Sequence, residues 1–100
     1  MTPEEARVRL DECRVLIDDV DRRIVALLNE RTEVVEEIGR VKRASDLPIY
    51  EPKREEQVFA NVTGSNHGPM SSDALRRIFE RIIDEMRKIQ RLRMEAAGDK

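Results

Sequence analysis

Tryptophan is absent from this 100-residue chain, and one tyrosine with two phenylalanines brings the aromatic share to only 3%. So few flat side chains, in a chain that is 40% charged, favour amphipathic helices over a sandwich or barrel. Cysteine and histidine each occur once, as Cys13 and His67, which excludes a disulfide framework and a zinc centre. The single histidine lies far from Cys13 in sequence, so Cys13 is expected to be a small core residue and not a nucleophile. No stretch approaches the roughly 18 apolar residues of a membrane span, and the start MTPEEARVRL lacks a cationic segment followed by an apolar run. The protein is accordingly expected to be soluble, unexported and cytoplasmic, with no membrane partner. A formal charge of -2, with no basic run interleaved with aromatics, argues equally against nucleic acid.

What remains is a chain of charged, helix-forming residues with well-marked ends. Thr2, Pro3 and Glu5 form a capping-box start with proline at the first helical position. An apolar stripe follows through Ala6, Leu10, Cys13, Ile17, Val20, Ile24 and Leu27, and resumes at Val34, Ile38 and Val41, in steps of four and three. No proline interrupts it before Pro48, and Gly39 costs a helix only roughly 1 kcal/mol against alanine. A first helix over about residues 3–43 follows, about 60 Å long at 1.5 Å per residue, whereas a compact domain of this size has a radius of gyration of about 13 Å. A chain this short has little interior to cover such a stripe, and the simplest cover is a second copy alongside.

Residues 45–50 read as a connector, after which Glu51 caps and Pro52 opens a short second helix, over 52–63, carrying Val58, Phe59 and Val62. The segment GSNHGP is a loop by its turn chemistry, and Ser71 caps a third helix over 72–95. The stripe of that helix is Leu75, Ile78, Phe79, Ile82, Ile83, Met86 and Ile89, and the tail AAGDK is expected to fray. The expected fold is all-α, a single domain of three helices per chain, one very long, in an intertwined homodimer.

Polar residues interrupt these stripes. The heptad phase places an apolar residue at position 31, yet Arg31 stands there, and a guanidinium at a seam needs either a buried carboxylate or an external anion. The same face continues through Val35 and Ile38 to Lys42, so two cations bracket an apolar floor. Gln90 follows Ile82 and Met86 at four-residue spacing, where a buried amide needs partners. Arg54 and Glu55 stand just inside the second helix, one turn before Val58. Together these residues describe an aliphatic-walled pocket with several cations, one amide and one carboxylate. No nucleophile–base pair, metal set or phosphate-binding glycine loop accompanies it, so it suits electrostatic positioning of a small dicarboxylate better than covalent or acid–base chemistry.

From about Arg7 to Met94 the chain resembles the all-helical chorismate mutases. RVLIDDVDRRIVALLNER, residues 14–31, resembles the opening of that family, and IGRVK supplies its lysine. PIYEPKREEQV resembles its connector and second-helix start, NHGPMSSDALRRIFERII the start of its third helix, and Gln90 its helix-three amide. The resemblance implies the Claisen rearrangement of chorismate to prephenate, with no cofactor and no covalent intermediate. It further implies that Arg14 from a partner chain joins Arg31 and Arg54 on the substrate carboxylates, while Lys42 and Gln90 donate to the ether oxygen. Glu55, helped by backbone near Glu51, is implied to hold the ring hydroxyl, with Ile38, Val58 and Ile83 walling the pocket. Two departures stand out: Met86 where relatives often carry serine, and Glu51 where aspartate is common. Relatives also occur fused or docked to other shikimate-pathway enzymes. An isochorismate-pyruvate lyase of the same fold, and a non-catalytic helical regulatory dimer, are the alternatives.

Overall fold

The computed structural model describes residues 1–98 and consists of three helices, α1 (Pro3–Ala44), α2 (Pro52–Gly64) and α3 (Ser72–Gly98), with no strand among the described residues. The capping box forms at the head of α1: Thr2 Oγ1 accepts the Glu5 N–H at 3.1 Å and its hydroxyl donates to Glu5 Oε1 at 3.1 Å. α3 starts on Ser71, whose Oγ accepts the Ala74 N–H at 3.1 Å, and it runs to Gly98, beyond the end of its apolar stripe. The tail AAGDK, expected to fray, is helical through Ala96, Ala97 and Gly98, and its last two residues, Asp99 and Lys100, lie outside the described residues.

The far end of α1 is built as a left-handed cap. Asp46 has a φ of 54°, the Leu47 N–H donates to the Lys42 carbonyl at 2.8 Å, and the Asp46 N–H donates to the Arg43 carbonyl at 3.3 Å. These two bonds satisfy carbonyls the helix would otherwise leave open, and they turn the chain back along α1. α2 differs from expectation at its head. Glu51 occupies the cap position, but its side chain makes no capping bond, and Pro52 at the first turn removes one of the N–H groups that would need one.

The chain divides into two units, Met1–Glu33 and the part from Val34 on. In Met1–Glu33 the surface is laced with ion pairs one turn apart, Arg9 with Glu12, Arg14 with Asp11 and Arg23 with Asp19. Such exposed pairs contribute little. Along the apolar stripe of this segment Leu10, Ile17, Ile24 and Leu27 are all exposed, and Cys13, expected in a core, is only half-buried.

From Val34 on, the core is small. Val35, Ile83 and Met86 are its buried apolar side chains, each worth about 1.5–3 kcal/mol, joined by Gly39 of α1. The face of α1 that turns inward is therefore Val35, Gly39 and Lys42, one position around from the expected Val34, Ile38 and Val41, which stay exposed. Gly39 lies against α3 in that row, where a Cβ would meet Gln90 Cγ at 3.7 Å, an ordinary van der Waals contact. α2 lies against α3, where Arg76 of α3 stacks 4.2 Å from the centre of the Phe59 ring. Glu36 and Arg93 add an ion pair of 2.9 Å between α1 and α3.

Candidate active site

Two of the buried side chains in this core are polar: Lys42, 6% exposed, and Gln90, 8% exposed. An ammonium out of water is costly unless its three donors are met. Lys42 Nζ donates to the Ile49 carbonyl at 2.9 Å and to Gln90 Oε1 at 3.4 Å, and it lies 3.4 Å from Glu51 Oε2. The left-handed turn after α1 makes this possible, because it returns the connector to the helix it has just left and sets Ile49 opposite Lys42. Gln90 turns its oxygen to Lys42, which directs its two N–H donors away from the ammonium. Glu51 thus does at Lys42 what it does not do at the head of α2. It is the weakest held of the three partners, since its side chain is 47% exposed.

A second polar cluster sits between the start of α2 and α3. The Arg87 guanidinium spans the Glu55 carboxylate, with an NH2 hydrogen bond to Oε1 at 3.3 Å and Nε 3.0 Å from Oε2. The second contact is an ion pair by distance only, because the Nε–H does not point at the oxygen and finds no hydrogen-bond acceptor among the described residues. Arg87 also hydrogen-bonds Asp84 at 3.0 Å and lies 5.2 Å from the centre of the Tyr50 ring. Arg87 was not singled out in the sequence because Asp84, one turn earlier, accounts for it as a surface pair. The available signal was phase: Ile83, Arg87 and Gln90 fall on one helical face, the same kind of break that drew attention to Arg31.

The other anticipated residues are distributed as follows. Ile83 and Met86 are buried against this region and Val58 is half-buried, whereas Ile38 is exposed. Arg54 is exposed and hydrogen-bonds Gln57 at 3.4 Å. Arg31 is half-buried and Arg14 is exposed in its pair with Asp11, both in the Met1–Glu33 unit. Among the described residues no group of His, Cys, Asp or Glu is placed to hold a metal ion, and no helix is long and apolar enough to cross a membrane. The chemistry on offer is a buried cation and amide beside an apolar wall, with a carboxylate held nearby.

Residues 13–91 match the family described as chorismate mutase type II. The chain belongs to that family. Among curated proteins, it is 37% identical over 78 residues to the bifunctional chorismate mutase/prephenate dehydratase of Aquifex aeolicus, covering 74% of this chain and 22% of that one. The chain thus spans about a fifth of the length of the curated relatives it matches first. A chorismate mutase of Methanocaldococcus jannaschii is 24% identical over 92% of this chain and 94% of its own. Among solved structures, a chorismate mutase of Thermus thermophilus superposes with a TM-score of 0.81 at 37% identity, over 83% of this chain and 94% of that one. The all-helical chorismate mutase fold therefore accounts for the three helices, and the family match extends from Cys13 in α1 to the residue after Gln90.

Proposed function

We propose that this chain catalyses the Claisen rearrangement of chorismate to prephenate, a step of aromatic amino acid biosynthesis, in the cytoplasm. The observation that carries the assignment is the buried Lys42 ammonium beside the Gln90 amide on a wall of Val35, Ile83 and Met86. In the rearrangement the bond from the ether oxygen to the ring breaks while a carbon–carbon bond forms, and negative charge gathers on that oxygen. Donors fixed in advance at that point stabilise the transition state more than the ground state. Lys42 and the N–H groups of Gln90 are those donors. Since no proton is transferred and no covalent intermediate forms, the protein needs neither a nucleophile nor a cofactor.

The substrate's two carboxylates fall to the arginines, whose forked guanidinium groups fix orientation as well as charge. Arg31 and Arg54 serve from one chain and Arg14 from a second copy, while Glu55 accepts the ring hydroxyl, with Glu51 beside it. Val58 and Ile38 complete the wall with Met86 in place of a polar group. The whole chain acts as one domain and pairs through the exposed stripe of α1, which a second copy would cover. Similarity to a module of a bifunctional relative favours docking to another enzyme of the shikimate pathway.

Incubation with chorismate tests the activity: prephenate is the expected product. With isochorismate, neither pyruvate nor salicylate should appear. Release of pyruvate would mark a lyase, and binding of prephenate without turnover would mark a regulatory dimer.

A further inference from the structure

Arg87 faces the proposed site with no part in the mechanism above. It approaches both oxygens of the Glu55 carboxylate, at 3.3 and 3.0 Å, with both side chains more than two-thirds buried. That contact joins the first turn of α2 to α3 across 32 residues of sequence. The same guanidinium lies over Tyr50, 5.2 Å from the ring centre. Tyr50 stands between Ile49, whose carbonyl accepts from Lys42, and Glu51, whose carboxylate lies beside Lys42. One side chain therefore touches the carboxylate of Glu55 and the connector that closes over the ammonium.

We propose that Arg87 is a positioning residue of this active site, holding Glu55 as a fixed acceptor for the substrate's ring hydroxyl and pinning the 49–51 connector against Lys42. The assignment rests on the chorismate mutase function proposed above. A free glutamate at the head of a helix samples several rotamers and faces solvent. Bridged by a guanidinium, Glu55 is restricted to one orientation and kept as an acceptor, and each oxygen retains a lone pair for a hydroxyl. Asp84 accepts from the same Arg87 Nη2 at 3.0 Å and steadies the guanidinium from the α3 side. The orientation matters because small displacements of a substrate-positioning group cost about a hundredfold in rate.

The test compares Arg87→Met and Arg87→Lys with the unaltered protein, on chorismate and on an analogue lacking the ring hydroxyl. Arg87→Met should lower kcat/KM for chorismate by about tenfold to a hundredfold and affect the deoxy analogue much less. Arg87→Lys, which keeps an ion pair to one oxygen, should recover part of the loss. Glu55→Gln combined with Arg87→Met should cost little more than either change alone, because both act on one interaction. Circular dichroism and melting of each variant report the fold, and Arg87→Lys carries the comparison if the methionine variant unfolds. Equal losses on both substrates, or additive losses in the double variant, would overturn the positioning role. An unaltered protein that leaves chorismate unchanged would overturn the function as well, a result distinct from normal turnover that is insensitive to Arg87.

Discussion

Lys42 is a charge placed where the surrounding stripe would accept an aliphatic side chain, and its surroundings account for how it is tolerated. Its three neighbours divide the work. A backbone carbonyl at 2.9 Å is fixed by the connector, the Gln90 oxygen at 3.4 Å comes from α3, and Glu51 supplies countercharge while keeping contact with water. Removing the lysine leaves Glu51 hydrated and Ile49 able to bind water, so no charge is stranded in the core. Removing Gln90 leaves the ammonium with two of its three neighbours. Lys42→Ala and Gln90→Ala are therefore each expected to retain the helical signal in circular dichroism while lowering kcat by about a hundredfold to a thousandfold, the usual cost of losing a donor to a developing oxyanion. A collapse of helix content in both variants would instead assign these side chains to the core.

The three helices owe their limits to local chemistry, and one of those limits is strained. α1 ends at Ala44, and in the turn that follows, Asp46 has a φ of 54°, which costs an L-residue roughly 1–2 kcal/mol, less for a short polar side chain and almost nothing for glycine. Because the two cap bonds at 2.8 and 3.3 Å use only backbone atoms, Asp46→Gly keeps them. The substitution should raise stability by up to about 1 kcal/mol, visible as a higher melting temperature, with turnover unchanged. A lower melting temperature would mean that the aspartate side chain holds the turn in a way the backbone does not. Such ends, marked by Thr2, Pro52 and Ser71, are what made the helices legible in the sequence. The inward face of α1 was harder to see. Val34, Ile38 and Val41 form the more apolar row, whereas the buried row of Val35, Gly39 and Lys42 contains a glycine and a lysine. Hydropathy ranks those two low, although both are buried beside Gln90 of α3 and the lysine is what the site uses. Lys42 and Gln90 were legible as polar breaks in apolar phase. Arg87 was hidden by its neighbour at i−3, and Glu51 looked like a cap because the backbone pattern of a helix start does not reveal where a flexible carboxylate goes.

The molecule as a whole has more apolar surface than one chain covers. Leu10, Ile17, Val20, Ile24 and Leu27 are each at least 42% exposed along a single phase of α1, and Val34, Ile38 and Val41 extend the same phase. Exposed apolar rows of this kind are the surface that the proposed dimer would cover, since pairing of identical helices along their stripes would shield both at once. The functional consequence is specific if Arg14 serves the partner's site. Chains carrying Arg14→Ala and chains carrying Lys42→Ala should each be inactive as pure dimers, since every site lacks one group. After subunit exchange, a mixed dimer has one site with Lys42 from the first chain and Arg14 from the second, both intact, while its other site lacks both. Equal mixing makes half the dimers mixed, so about a quarter of the unaltered turnover should return. Mass spectrometry of intact complexes, with one variant carrying a tag, measures the exchange independently of activity. Mixed dimers without recovered turnover would show that each site is completed within its own chain, and a monomer in sedimentation would remove the shared site altogether.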